Sequence, residues 1–207
     1  TMQDRFVRDK ERTGKDAVNG GRRALLLAAL GLTTGYVRAE DDRVLRIGVD
    51  ADYPPFTFYD DMRTFTGVDP VLAREACRRL GVTSEFIPIA WDRKDELFAD
   101  KKIDCVWSCF SMTGREALYR WVPYLYSRQV VVVLNSSPIQ CLKDLTGKTV
   151  AVQSGTRPEQ FFTREAARAP AIADLLTFPT TAEAFIAVRR RYADATAGHE
   201  AVMRRLL

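Results

Sequence analysis

The stretch Arg46-Ile-Gly-Val-Asp50-Ala-Asp52-Tyr53-Pro54-Pro55-Phe56 decides the fold class of this 207-residue chain. Residues 44–49 read as a buried strand that ends abruptly on a carboxylate, an aromatic ring and two prolines. Paired prolines cannot continue a ladder. Asp50 and Tyr53 are therefore left at the carboxyl end of a strand, the edge where open α/β sheets place their ligands. An ordinary strand end closed by a rigid turn has the same local pattern, so the meaning of this edge depends on which other segments join it.

Outward from this strand, Thr66-Gly67-Val68-Asp69-Pro70 ends a loop and starts a helix, with Asp69 as N-cap and Pro70 at the first helical position. Gly81 stops that helix. Val71, Leu72, Ala76 and Leu80 recur on one face at helical spacing, while Arg74, Glu75, Arg78 and Arg79 cover the solvent side. Residues 84–89 read as a second strand, 95–99 as a short helix and 103–109 as a third strand that opens into Ser111-Met112-Thr113-Gly114-Arg115, completing a βαβαβ unit. A β-branched strand at 129–134 leads into the turn Asn135-Ser136-Ser137-Pro138. A second, similar pattern follows: strand 149–153, loop Ser154-Gly155-Thr156, helix 158–167, strand 175–178, helix 181–191, strand 193–197 and a last helix over 200–207. The expected class is α/β, with a first lobe over 40–132 and a second, partial lobe over 133–207.

A chain of this length with 46% hydrophobic residues buries a substantial core. Its formal charge of +4 is confined to the first 39 residues, because residues 40–207 carry equal numbers of basic and acidic side chains. Nucleic acid loses its main argument as a partner. The first 39 residues read as a signal peptide with an N-terminal extension: Arg22-Arg23 precede the apolar run 24–32, and Val37-Arg38-Ala39 offers short residues for cleavage before Glu40. That run is too short to span a bilayer, and no cysteine follows it to carry a lipid. The arginine pair permits twin-arginine export as well as the general route. The expected compartment is the periplasm. Cys77, Cys105, Cys109 and Cys141 would be free to oxidise there, with their pairing open and buried thiols the favoured reading. Cys105 and Cys109, four apart on one expected strand, stand about 13 Å from each other and do not bridge. One histidine and no Cys-x-x-Cys pair leave no metal site, and no cofactor is expected.

Four segments that follow strands converge: Asp50 to Phe56, Trp91-Asp92, Ser108 to Arg115, and Gln153 to Thr156. Their order resembles the family 3 extracellular solute-binding proteins, which deliver amino acids to ABC transporters. The resemblance covers residues 43–199. It includes the strand-Asp-x-x-Tyr-Pro-Pro-Phe opening, Gly67-Val68-Asp69, Ile103-Asp104, Pro123-Tyr124, Leu145-Thr146-Gly147-Lys148 and Gly155-Thr156.

That resemblance implies a two-lobed periplasmic-binding-protein type II fold closing over a ligand. Arg115 then holds a carboxylate through its planar fork of donors. Ser154, Gly155 and Thr156 lead into a helix whose free N–H groups favour the same anion. Asp50 accepts from an ammonium group. Tyr53 and Trp91 match the aromatic positions that sandwich the ligand side chain, and Ser108, Cys109 and Ser111 its polar wall. Three features depart from the family pattern. A single residue separates Thr113 from Arg115, where two are common. His199 stands where many members carry a second carboxylate. The chain stops at Leu207, before the segments that normally return to the first lobe, so the second lobe and the C-terminal return are expected to be cut short.

The expected function is capture of an amino acid or similar small carboxylate for uptake by an ABC permease, as a monomer and without catalysis. An enzyme resembling cyclohexadienyl dehydratases is the main alternative, with His199 or Glu116 as the acid or base. A ligand-sensing module of a larger receptor and a degenerate gene product are the other two.

Overall fold

The computed structural model describes residues 43–207 together with the backbone of a short strand, β1 (Phe6–Val7). The remainder of the expected leader lies outside the described residues. β1 pairs antiparallel with Val131 and Val132.

The first sheet is built on β2 (Val44–Val49), in which Ile47 and Val49 are fully buried. β3 (Asp52–Tyr53), β4 (Thr57–Tyr59) and β5 (Phe65–Thr66) form a small antiparallel ribbon beyond its end. α1 (Val68–Leu80) starts at Gly67 and ends on Gly81 in the left-handed conformation. At Gly67 φ is +124°, and an added Cβ would stand 2.1 Å from the Phe56 carbonyl oxygen, so the turn that brings α1 against the ribbon requires glycine. The N-cap is thus Gly67 rather than Asp69. The buried face also differs from expectation. Asp69, Pro70, Ala73 and Cys77 are buried, Ala73 and Cys77 against the sheet, while Val71, Leu72 and Leu80 are exposed. Two stripes on this helix have apolar character, and the one with small residues lets the helix approach the strands closely.

β6 (Thr83–Pro88) pairs in parallel with β2, and a 3₁₀ turn (Trp91–Arg93) leads into α2 (Lys94–Ala99). The third strand is shorter than expected. β7 (Cys105–Val106) pairs with Ile47 and Gly48, and the chain then leaves the sheet, with Cys109 at φ 48°. Cys105 and Cys109 therefore do not share a strand.

β8 (Gln129–Val133) belongs to the second sheet, where it lies antiparallel to the last strand. The sheets change before Gln129 rather than between residues 132 and 133, because β8 buries its valines against the second core. β9 (Thr149–Gln153) leads into α3 (Arg157–Arg164), β10 (Asp174–Phe178) into α4 (Thr181–Arg189), and β11 (Ala195–His199) into α5 (Glu200–Leu206). The order is β6-β2-β7 in the first sheet and β1-β8-β11-β9-β10 in the second. Val131, Val133, Val150 and Val152 form one face of the second core with Ile139 and Leu145, and Ala184, Ala187 and Val188 of α4 cover the other. The carboxyl ends of β2 and β9 meet between the sheets, and the candidate site is there.

Candidate functional site

Asp50 ends β2 and is 7% exposed. Its backbone N–H donates to Ser108 Oγ at 3.1 Å, and that hydroxyl lies 2.8 Å from Thr57 Oγ1. The Asp52 N–H donates to Asp50 Oδ1 at 3.1 Å, and Gln153 Nε2, from the end of β9, donates to Oδ2 at 2.6 Å. No cation pairs with this carboxylate among the described residues. Its pKa is raised by burial, a shift partly offset by the Gln153 amide.

Arg115 is presented by a tight turn in which its N–H donates to Met112 O at 2.8 Å and Gly114 sits at φ +76°. The guanidinium is buried against the face of Phe110, with its carbon 5.0 Å from the ring centroid. It donates to two carbonyls, Ser111 O at 3.4 Å and Gly155 O at 3.2 Å. No carboxylate pairs with it among the described residues. Glu116 turns away and accepts from the Gly114 N–H at 3.1 Å, so it does not neutralise Arg115.

His199 closes a third side from the end of β11. Gln129 Nε2 can only donate, and it lies 3.1 Å from His199 Nε2. That nitrogen therefore accepts, and Nδ1–H donates to Ser127 Oγ at 2.9 Å. Ser111 Oγ, 3.1 Å from Nε2, joins the same chain. Burial and the neighbouring Arg115 push the His199 pKa down to about 4, so the ring is neutral at physiological pH.

Nine of the eleven expected residues border one cavity: Asp50, Tyr53, Trp91, Ser108, Cys109, Ser111, Arg115, Thr156 and His199. The remaining two, Ser154 and Gly155, do not. Gly155 lies one layer back, where its carbonyl accepts from Arg115 and from Lys94 Nζ at 3.0 Å. The expected anion-binding N–H there is already satisfied, because Gly155 N donates to Glu159 Oε2 at 2.7 Å. Thr156 Oγ1 donates to Gln153 O at 2.6 Å. Tyr53 and His199 meet edge to face at 6.0 Å, as do Trp91 and Phe110 at 5.4 Å.

Phe110, Gln129, Gln153, Arg157 and Thr181 also border the cavity and were not among the expected residues. Gln153 was visible only as the start of a converging segment. Its Nε2 also reaches Pro179 O at 3.0 Å, and its Oε1 accepts from Thr181 Oγ1 at 2.7 Å. The space left among these side chains is about 20 Å³, room for a water molecule and not for an amino acid. Groups of the two sheets thus fill the cleft with contacts to each other. Among the described residues no group of His, Cys, Asp and Glu side chains is arranged to hold a metal ion.

Residues 45–204 match the model of the bacterial extracellular solute-binding proteins, family 3. The chain belongs to this family. The histidine-binding periplasmic protein of Escherichia coli K12 is 30% identical over 141 residues, covering 67% of this chain and 54% of that protein. The L-cystine-binding protein TcyJ of the same strain is 29% identical over 157 residues, covering 72% of this chain and 59% of that protein. The chain thus spans little more than half the length of these curated relatives. Among solved structures, the arginine-bound form of a truncated ArgBP from T. maritima superposes with a TM-score of 0.69 at 33% identity, covering 78% of this chain and 76% of that one. An ancestral amino acid-binding protein described as a precursor of cyclohexadienyl dehydratase gives 0.69 at 34% identity, covering 78% and 72%. The two sheets are accordingly the cores of the two lobes of a periplasmic-binding-protein fold, and the cleft lies between the lobes.

Proposed function

We propose that this chain is the ligand-capturing component of an ABC uptake system, acting in the periplasm on an amino acid or a closely similar small carboxylate. One observation carries the reading. Arg115 and Asp50 are opposite, buried charges at the edge of one lobe, and each is held by a neutral group of the other: the Gly155 carbonyl on the cation, the Gln153 amide on the anion. A zwitterion offers a carboxylate to the first and an ammonium to the second, and both exchanges replace a dipole by a full opposite charge. Admission of the ligand requires the lobes to part, and reclosure buries it under Tyr53 and Trp91, the hinge motion of two-lobed receptors. An ABC permease receives the ligand from a monomer.

Catalysis has less support. Glu116 does not border the cavity, and His199, its pKa pushed down to about 4, is a weak base that is not protonated to serve as an acid at neutral pH.

Titration calorimetry with an amino acid, its carboxamide and its N-acetyl derivative tests the proposal. The free amino acid is expected to bind, and each blocked form to lose roughly a hundredfold, because each leaves one buried charge unanswered. Equal binding of a blocked form would remove its partner residue from the site.

A further inference from the structure

We propose that the ligand's side chain is uncharged, so that this cleft rejects arginine, lysine, aspartate and glutamate. The inference rests on the zwitterion reading above and concerns what else the cleft can neutralise.

Four ionisable side chains of Asp, Arg and His type border the cavity: Asp50, Arg115, Arg157 and His199. Two of them are assigned to the ligand's ammonium and carboxylate. Arg157 forms an ion pair with Glu165, the residue just past the end of its helix, so it already has an opposite charge beside it, one shared with Arg168. His199 has hydrogen-bond partners on both ring nitrogens, accepting at Nε2 and donating from Nδ1, and its burial holds it neutral down to about pH 4. The other polar groups around the space, Gln129, Gln153, Thr156 and Thr181 among them, are neutral. A further charge on the ligand would be stripped of water with no opposite charge to meet it, which is among the costliest events in binding.

Aromatic rings are the usual alternative partner for a cation. Here Trp91 and Phe110 are taken by cations, and Tyr53 is packed against the Phe56 and His199 rings. Lys94 is 3% exposed, and its Nζ lies 5.2 Å from the Trp91 ring centroid and 5.5 Å from that of Phe110. Arg115 covers Phe110 as well. An arginine or lysine side chain would thus find rings already serving the protein's own cations, and would be repelled by them. An acidic side chain gains little from Lys94, whose ammonium has Asp95 beside it at 4.0 Å and is spent on the Trp91 and Gly155 carbonyls. The arginine-bound relative therefore shares the fold but not the side-chain preference expected here.

The test is titration calorimetry of the full chain at neutral pH with glutamine, leucine and phenylalanine, then arginine and lysine, then aspartate and glutamate. The expected result is binding of at least one neutral amino acid, with every charged one more than tenfold weaker than the best neutral ligand. A charged amino acid within tenfold of it, or tighter, overturns the inference while leaving amino-acid capture intact. Heat from none of the panel overturns this inference and the proposed function together.

Discussion

Gln153 Nε2 donates to Asp50 Oδ2 at 2.6 Å, and this bond ties the carboxyl end of β9 to that of β2, across a sequence separation of 103 residues. Gln153 is 2% exposed and serves Thr181 and Pro179 as well. Gln153→Leu leaves a buried carboxylate, a hydroxyl and a carbonyl without this partner. The expected loss is about 2 to 3 kcal/mol of unfolding free energy in urea. A variant as stable as the parent would mean that this junction contributes nothing.

Arg115 is buried with only carbonyl partners, so its charge is available to a ligand carboxylate. Arg115→Ala is expected to weaken binding by about 2 to 5 kcal/mol, a loss of roughly thirtyfold or more, with the variant still folded. Calorimetric affinity equal to the parent's would assign the carboxylate to another group.

Gly155 lies where the backbones of the two lobes come close together. At φ +71°, a Cβ there would stand 2.8 Å from the Asp92 Cα and 3.1 Å from Lys94 Nζ. Gly155→Ala carries a left-handed backbone cost of about 1 kcal/mol and a clash with backbone that cannot rotate away. Affinity is expected to fall about tenfold or more, while far-ultraviolet circular dichroism stays unchanged. Full affinity would show that the lobes need not meet at this point for binding.

Two buried groups give the stability opposite pH dependences. Burial raises the Asp69 pKa from 3.8 to about 6, against the hydrogen bond from Tyr124. Between these values the folded protein keeps a proton that the unfolded chain releases, so rising pH costs stability, up to about 3 kcal/mol. The His199 pKa is lowered from 6.5 to about 4, so there the unfolded chain binds the proton and falling pH costs a similar amount. Asp69→Asn should gain stability relative to the parent as pH rises from about 4 to 6, and His199→Asn as pH falls from about 6.5 to 4. Urea midpoints across this range check both. Profiles parallel to the parent's would show that neither group titrates as its burial dictates.

The Asp50–Tyr53 edge was legible because two prolines break a strand at a fixed place, and Arg115 because a glycine turn sets a lone arginine beside serines. Gln153 was not singled out as a site residue. A glutamine at a strand end has no spacing signature, and its role is set by a carboxylate on the other sheet. Gly155 was placed at the ligand for its N–H, yet Glu159, one helical turn on, takes that N–H and leaves the carbonyl to face Arg115. The face of α1 was misread because Val71, Leu72 and Leu80 outweigh Ala73 and Cys77 in hydrophobicity, whereas the smaller pair allows the closer approach. The depth of His199 beside Arg115, which takes its pKa down to about 4, is invisible in the sequence.

A crystal structure of the protein with a bound neutral amino acid tests the central claim most directly. The account predicts that Arg115 exchanges the Gly155 carbonyl for the ligand carboxylate and Asp50 exchanges the Gln153 amide for its ammonium, in a cleft enlarged from its present size. A ligand seated elsewhere, with the Arg115–Gly155 and Asp50–Gln153 bonds both intact, would contradict it.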